Sequence, residues 1–276
     1  MRPSPTHQRG FTLIELIMVI ILMGIIGSMV AVFMKSPIDA YFDTARRAAL
    51  SDVADTAVRR MARDIRKALP NSLRQSISPN SANNQCIEFI PTKTGGRYRA
   101  VVNSAGNGDI LNFAAADSSF DMLGANSPLA DQAIAAGDLI AVYNLGIPGA
   151  DAYAGANTSA VTSIGVGTLA NETKINIASK QFPLASGSNR FHVIPGTETI
   201  VSYVCSSGNL YRNSNYAYSS TCPTTGGNLL ASGVTCNFVY NGSDLQRNGM
   251  VQIQIDLSSN GETISLYDEV NVNNTP

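Results

Sequence analysis

The first pattern along the chain is a single apolar run over residues 11–34, FTLIELIMVIILMGIIGSMVAVFM, in which Glu15 is the only charged residue. At about 1.5 Å of rise per residue, a helix of this length is about 36 Å long, which is enough to cross a bilayer. A carboxylate near the centre of such a helix costs about 2.5–3.5 kcal/mol. We therefore expect a membrane-spanning helix over residues 11–34 and a function for Glu15.

Residues 35–69 show a second pattern, in which apolar residues recur every three or four positions, as on one face of an amphipathic helix. Pro37 is expected to kink or restart the helix, and Pro70 is expected to end it. Ion pairs between residues four apart should add to helix stability. The predicted apolar stripe is Leu50, Val53, Ala57, Met61 and Ile65, and the predicted ion pairs are Asp43–Arg47 and Asp55–Arg59.

Residues 70–276 show a third pattern, in which short β-rich runs are separated by Gly, Asn, Ser and Pro. Asn260-Gly261 between the last two runs is a strong hairpin signal. Residues 146–170 are rich in Gly, Ala, Ser and Thr, so we expect a long surface loop or insertion there rather than a separate domain. Antiparallel sheet packed on a long helix gives an α+β fold. The predicted strands are Cys86–Ile90, Arg97–Asn103, Asp138–Leu145, Lys174–Ile177, Thr199–Cys205, Val234–Tyr240, Met250–Leu257 and Thr263–Val272.

The net charge of −1 combines two regions of opposite sign. Residues 35–69 contain eight basic and five acidic residues, a net of +3, and residues 70–276 contain nine basic and fourteen acidic residues, a net of −5. The body is therefore not a basic surface for nucleic acid. A basic cluster on the helix could be a DNA or lipid patch, but we favour a solvated helix face or a subunit contact. Its members are Arg59, Arg60, Arg63, Arg66 and Lys67.

Four cysteines lie in the body: Cys86, Cys205, Cys222 and Cys236. Outside the cytoplasm an even number favours disulfides, with three possible pairings. We favour Cys205–Cys222, because both residues flank one segment rich in Tyr, Asn and Ser, which leaves Cys86 with Cys236. Buried free thiols are the alternative. No Cys-x-x-Cys pair exists, so neither a redox nor a zinc role is indicated.

Catalytic chemistry has few candidates in this sequence. Of the two histidines, His7 lies near the start of the chain, and His192 lies in a predicted strand, where a lone histidine is more often structural. A Ser-His-Asp triad would depend on His192, and no G-x-S-x-G accompanies it. We find no P-loop, no dinucleotide-binding glycines and no EF-hand loop, and we expect no catalytic residue, no metal and no cofactor. The carboxylates considered as metal ligands are Asp109, Asp117, Asp121, Asp138 and Asp151.

Five tyrosines were considered as a binding surface: Tyr203, Tyr211, Tyr216, Tyr218 and Tyr240. The tyrosines could form a glycan-binding surface, although sheet packing is their commoner role.

The residues at the start of the apolar run resemble a known family. A short basic leader ends in Gly10, and the block G-F-T-L-I-E-L follows over Gly10–Leu16. This block resembles the N-terminus of type IV prepilins and type II secretion pseudopilins. The resemblance implies cleavage between Gly10 and Phe11 by a prepilin peptidase, N-methylation of Phe11, and an assembly role for Glu15, the fifth residue counted from Phe11.

Beyond the helix the chain resembles large minor pilins in general, including a minor pilin of the mannose-sensitive haemagglutinin (MSHA) pilus type, and is similar also to J-type pseudopilins. The resemblance implies a pilin-like lollipop, a long helix half in the membrane and half packed on a globular head. The predicted domains are a leader over 1–10, a transmembrane and assembly helix over 11–34, its amphipathic continuation over 35–69, and a β-rich head over 70–276.

Arg2 and Arg9 favour a cytoplasmic N-terminus by the positive-inside bias, which places the head in the periplasm. The implied location is the bacterial inner membrane and then a pilus or periplasmic filament. In an apolar helix bundle, the cationic N-terminal amine of one chain and Glu15 of a neighbour would compensate each other's desolvation. The implied partners are other major and minor pilins, the prepilin peptidase, the inner-membrane assembly platform, and membrane lipid before assembly.

Four alternatives remain open on the sequence. A tip adhesin displayed on the pilus would be a binding module rather than a structural subunit. An anchored periplasmic enzyme is disfavoured by the histidine count. A secretory signal peptide would have a shorter apolar core and a small-x-small cleavage site, and a plain membrane anchor would need none of the Gly10, Phe11 and Glu15 pattern.

Overall fold

The computed structural model describes residues 10–77, 84–218, 222–223, 226–242 and 249–276. Apart from Gly10, the predicted leader lies outside the described residues, and so do His7, Arg2 and Arg9. The chain divides into two compact units, Met1–Ala49 and Leu50–Pro276.

One helix, α1 (Leu13–Ile65), contains Pro37 and does not restart there. A proline removes one backbone hydrogen bond at a cost of about 3 kcal/mol, which a long helix on both sides can tolerate. After the helix, the amides of Lys67 and Ala68 donate to carbonyls three residues back. This tighter spacing ends the helix shortly before Pro70, close to the predicted end.

The part of α1 in the second unit buries one continuous face. Each residue advances the helix by about 100°, so the buried side chains centre between Met61 and Ile65. Val53, a member of the predicted stripe, falls at the edge of this face and is 42% exposed. The predicted ion pair Asp55–Arg59 forms. Asp43 pairs with Arg46, and its predicted pair with Arg47 stays a prediction. The buried residues are Ala54, Ala57, Val58, Met61, Ala62 and Ile65.

The described part of the chain contains fourteen strands, all after the helix. They are β1 (Arg74–Ile77), β2 (Asn84–Phe89), β3 (Thr94–Arg97), β4 (Asp117–Met122), β5 (Leu139–Val142), β6 (Thr158–Val166), β7 (Thr173–Lys180), β8 (Arg190–Ile194), β9 (Val201–Ser206), β10 (Asn209–Ser214), β11 (Asn228–Ser232), β12 (Val234–Asn241), β13 (Gly249–Ser259) and β14 (Glu262–Val272).

Two sheets share one core with the buried face of α1. The first has the order β1-β2-β9-β10-β11 and the second the order β12-β13-β14, and all neighbouring strands are antiparallel. Phe89, Tyr203 and Ile253 of these sheets are fully buried in the same core as Met61. A long apolar helix followed by antiparallel sheets confirms the predicted α+β, pilin-like architecture.

A third sheet is inserted between β2 and β9, which pair directly with each other. Residues 91–199, which we call the inserted module, form an antiparallel sheet of order β3-β8-β5-β6-β7-β4. Its separate core contains Phe120 and Phe191. The long loop expected over 146–170 is wrong at Thr158–Val166, which form β6, because Ser159 and Val161 alternate inward with the pleat of the sheet.

The strand expected at Arg97–Asn103 is also largely wrong, since β3 ends at Arg97. The next residues turn from β8 to β4, since Tyr98 forms an isolated bridge with Met122 and the amide of Arg99 donates to the carbonyl of Asp121 at 2.8 Å. The side chain of Arg99 pairs with Glu172. Val101 is 72% exposed in the loop that results.

The disulfides differ from the favoured pairing. Cys86 is bonded to Cys222 and Cys205 to Cys236, with Cα–Cα separations of 6.4 and 6.1 Å. The second bond joins β9 to β12 and so links the two sheets of the first core. The expectation of Cys205–Cys222 is wrong because the contact of strands across the core, and not closeness along the chain, decides which thiols meet.

Replacing Met61 by Ala should lower the free energy of unfolding of the second unit by about 2–5 kcal/mol, because a cavity remains in the core. The matched control, Val53→Ala on the exposed side of the same helix, should cost less than about 1 kcal/mol. Thermal unfolding of the full chain in detergent, followed by near-UV circular dichroism of the tyrosines, measures both. Equal destabilisation by the two variants would contradict the buried face described above.

Candidate assembly site in the first helical turn

The apolar segment of the first unit is exposed along its whole length. Every residue from Phe11 to Met34 is exposed, and Phe11 itself is 88% exposed. By length and composition the helix can cross a membrane. Burial of apolar surface contributes about 25 cal/mol per Å², so this segment is stable only where lipid or other helices cover it.

The first turn of α1 is closed by Thr12 and Glu15. The backbone amide and the hydroxyl of Thr12 both donate to Oε2 of Glu15, at 2.9 and 3.0 Å, and the amide of Glu15 donates to Oγ1 of Thr12 at 3.3 Å. This reciprocal arrangement is a capping box, which satisfies amides that have no partner within the helix. It also places the carboxylate at the positive end of the helix dipole.

This local role of Glu15 is absent from the predictions above, although its signal is present in the sequence as T-x-x-E directly before an apolar run. The carboxylate therefore has a partner in its own chain before it meets any other. Only Oε2 takes part, and among the described residues Oε1 accepts no hydrogen bond. Oε1 is thus available to a cationic group of another chain.

Gly10 and Phe11, the predicted processing site, are both exposed. A Cβ atom added to Gly10 would meet no atom within 4 Å. No described residue therefore requires glycine at this position by its packing. Cleavage between the two residues stays a prediction.

Comparison with known families bears on this same segment. Residues 5–31 match the family model described as the prokaryotic N-terminal methylation motif. The chain carries a type IV pilin signal. The signal and the apolar helix fit membrane anchoring. No curated protein and no solved structure matches the chain.

Elsewhere, a partly buried ion-pair cluster connects α1, the five-stranded sheet and the inserted module. Nε of Arg212 lies 2.8 Å from a carboxylate oxygen of Asp64, and Nη1 lies 2.7 Å from one of Glu198. The hydroxyl of Tyr203 donates to Asp64 at 2.6 Å, and burial together with this bond raises the pKa of Tyr203. The cluster borders a cleft of about 890 Å³. Because both carboxylates are already paired with Arg212, the cluster acts as a structural tie.

A second cluster lies where β1 and β2 meet the module. The guanidinium carbon of Arg74 lies 3.7 Å from the ring centroid of Tyr153 and 4.0 Å from that of Tyr218, and Arg74 pairs with Glu88. The hydroxyl of Tyr216 also donates to Glu88, and burial together with this bond raises the pKa of Tyr216. Two tyrosines considered for a glycan surface are therefore engaged within the chain.

His192 lies on β8 and is partly buried. Its Nε2 is buried and has no hydrogen-bond partner among the described residues. Burial, followed by the nearby charge of Arg190, lowers the pKa of His192. This environment favours a neutral, structural imidazole. Among the described residues, no group of three His, Cys, Asp or Glu side chains is placed to hold a metal ion.

His192 should make the stability of the second unit depend on pH. An unfolded histidine has a pKa of about 6.5, and the folded value is lower, so the unfolded state binds more protons as the pH falls. The stabilisation by neutral His192 is therefore present above about pH 6.5 and is lost below it. In urea unfolding of the full chain between about pH 7.5 and 5, His192→Gln should flatten this dependence, and His7→Gln should leave it unchanged. An identical pH dependence in wild type and His192→Gln would contradict the prediction.

Proposed function

We propose that this chain is a minor pilin or pseudopilin, a structural filament subunit rather than an enzyme. In this proposal a prepilin peptidase cleaves between Gly10 and Phe11, Phe11 is N-methylated, and the helix is held in the inner membrane with the head in the periplasm. The subunit is then incorporated into a type IV pilus or a type II secretion filament, or primes its assembly. Resemblance to the MSHA minor pilin and the J-type pseudopilin belongs to this proposal.

One observation carries the proposal. Residues 11–34 lie largely within the pilin signal, are all exposed, and carry a single charged side chain, Glu15, which closes a capping box with Thr12 in the first helical turn. Such a helix is stable in lipid and also in a bundle of similar helices, so it can move from one to the other. In the bundle, Oε1 of Glu15 is available to the N-terminal amine of a neighbouring chain. That contact would fix the stagger between subunits, because a buried charge without its partner is costly.

A tip adhesin is the second candidate, and the inserted module is the observation that favours it. This module has its own core and is not needed to complete the core around α1. Phe89 and Val201 are paired neighbours on β2 and β9, so a short turn can replace residues 91–199. As an adhesin the shortened chain should enter filaments but lose surface or glycan binding. Unchanged binding by the filaments would remove this candidate.

Processing can be tested by mass spectrometry of sheared, purified filaments from the native cell. We expect a peptide that begins at N-methylated Phe11, at low abundance relative to the major subunit. The membrane fraction of a strain without the prepilin peptidase is the control and should retain Gly10. Full-length chain in the membrane of wild-type cells, with none in filaments, would overturn the proposal.

The charge of Glu15 can be separated from its capping role by two variants. Glu15→Gln keeps a capping box but removes the charge, so incorporation into filaments should fall at least about tenfold, since an unpaired buried charge costs about 3–5 kcal/mol. Thr12→Ala removes the cap, costs about 1 kcal/mol of helix stability and should change incorporation only a few-fold.

Immunoblots of sheared filaments, normalised to processed chain in the membrane, measure both variants. Normal incorporation of Glu15→Gln would exclude the assembly role of the charge. A stronger effect of Thr12→Ala than of Glu15→Gln would assign the role of Glu15 to capping alone.

A further inference from the structure

The inserted module binds most of its own cations. Residues 91–199 contain six lysines and arginines and eight aspartates and glutamates, a net charge of −2. Four of the six cations bind an acidic side chain or a carbonyl oxygen of the module: Lys93 with Asp138, Arg99 with Glu172, Lys174 with Asp109, and Lys180 with the carbonyl of Gly155. The other two are Arg97 and Arg190. Within the described residues their side chains have no ion-pair or hydrogen-bond partner.

These two arginines lie directly opposite each other on neighbouring strands. Arg97 ends β3, Arg190 begins β8, and the two residues are partners in the antiparallel register. Opposite positions bring the Cβ atoms to about 4.5–5.5 Å, a distance at which like charges destabilise the pair. Both side chains are exposed. An anion between the two guanidinium groups would remove this repulsion.

A glycine leaves space beside the pair. Gly95 lies two residues before Arg97 on the same face of β3, and its partner on β8 is His192. A Cβ atom at Gly95 would lie 3.6 Å from Nδ1 of His192, so the imidazole borders the space that the glycine leaves open. We call this place the arginine notch: Gly95 forms its floor, and Arg97, Arg190 and His192 surround it.

His192 responds to the charge of the arginine notch. Burial lowers the pKa of His192, and the charge of Arg190 lowers it further. Nε2 of His192 is buried, whereas Nδ1 lies on the side of Gly95. An anion held by Arg190 would offset the positive charge beside the imidazole and therefore raise the pKa of His192.

The size and the surroundings of the notch limit its ligand. Two guanidinium groups can hold one carboxylate or sulfate group through charge-assisted hydrogen bonds. A nucleic acid strand carries a phosphate about every 3.4 Å and is held by a row of cations, whereas this module is negative overall and has two free cations. A polysaccharide whose anionic groups are spaced along neutral sugars matches this site better.

We propose that the arginine notch binds a single carboxylate or sulfate group of an acidic polysaccharide. Arg97 and Arg190 donate to the oxygens of this group, and Gly95 leaves room for the sugar that carries it. None of these residues belongs to the core around α1. The inference therefore goes beyond the proposed role as a filament subunit, and it holds whether or not the chain enters filaments.

Nuclear magnetic resonance of His192 tests this site directly. In the full chain with His7→Gln, labelled histidine gives one imidazole signal, whose pKa is measured in a non-ionic detergent at low salt. Chondroitin sulfate should raise the pKa of His192 by at least about 0.5, and the neutral polysaccharide dextran should leave it unchanged. No change with excess chondroitin sulfate would overturn the inference. An equal rise with inorganic sulfate, at the same concentration of sulfate groups, would overturn the assignment to a polysaccharide.

Two double variants locate the binding site. Arg97→Gln/Arg190→Gln removes both charges of the notch, and Arg60→Gln/Arg63→Gln removes two exposed charges of α1 as the matched control. Isothermal titration calorimetry with chondroitin sulfate should show at least about tenfold weaker binding for the notch variant and less than about a twofold change for the control. Unchanged binding by the notch variant, or an equal loss in both, would refute the site.

A single variant covers the case in which the double variant folds poorly. Arg190→Gln should raise the pKa of His192 without any polysaccharide and should abolish most of the further rise when chondroitin sulfate is added. A full further rise in this variant would contradict the proposal. Neither experiment depends on cleavage or on filaments, so a negative result would leave the proposed function standing.

Discussion

An apolar helix that its own chain leaves uncovered is the constraint on which the first unit depends. From Phe11 to Met34 every side chain is exposed, and the one charge, Glu15, is held in the first turn by Thr12. Apolar surface of this extent requires lipid or other helices. The capping box keeps the carboxylate in a defined position at the end of the helix in either environment.

In the second unit the same helix becomes part of an ordinary protein core. Met61 and Ile65 pack into two antiparallel sheets, and the disulfide Cys205–Cys236 links those sheets. The inserted module enters between two paired strands, and its seam with the rest of the unit is tied by Asn144, which donates to the carbonyl of Pro70 at 2.7 Å. Because β2 and β9 pair independently of it, the module can vary without loss of the first core.

Charge is distributed so that internal and external roles are separate. Arg74 and Arg212 are engaged in ion pairs and aromatic contacts that hold the unit together. A second set of cations lies on an exposed face of α1, where Arg59 pairs with Asp55 and the other side chains have no ion-pair partner within the described residues. These cations are Arg59, Arg60, Arg63, Arg66 and Lys67. Partly buried pairs such as Arg212 with Asp64 are screened by salt less than exposed charges, so the same residue type contributes to stability in one place and remains solvated in another.

The sequence alone determined the features that depend on local order: the membrane-length helix from its uninterrupted apolar residues, its end near Pro70, the α+β class from the change of periodicity, and the pilin signal around Gly10, Phe11 and Glu15. The capping box was also readable from T-x-x-E. Only the tertiary structure decided the rest. Whether Val53 or Ala54 is buried, which thiols meet Cys86 and Cys205, and whether Thr158–Val166 is loop or strand depend on which distant strands face each other. Such pairings are set by packing across a core, and local spacing carries no information about them.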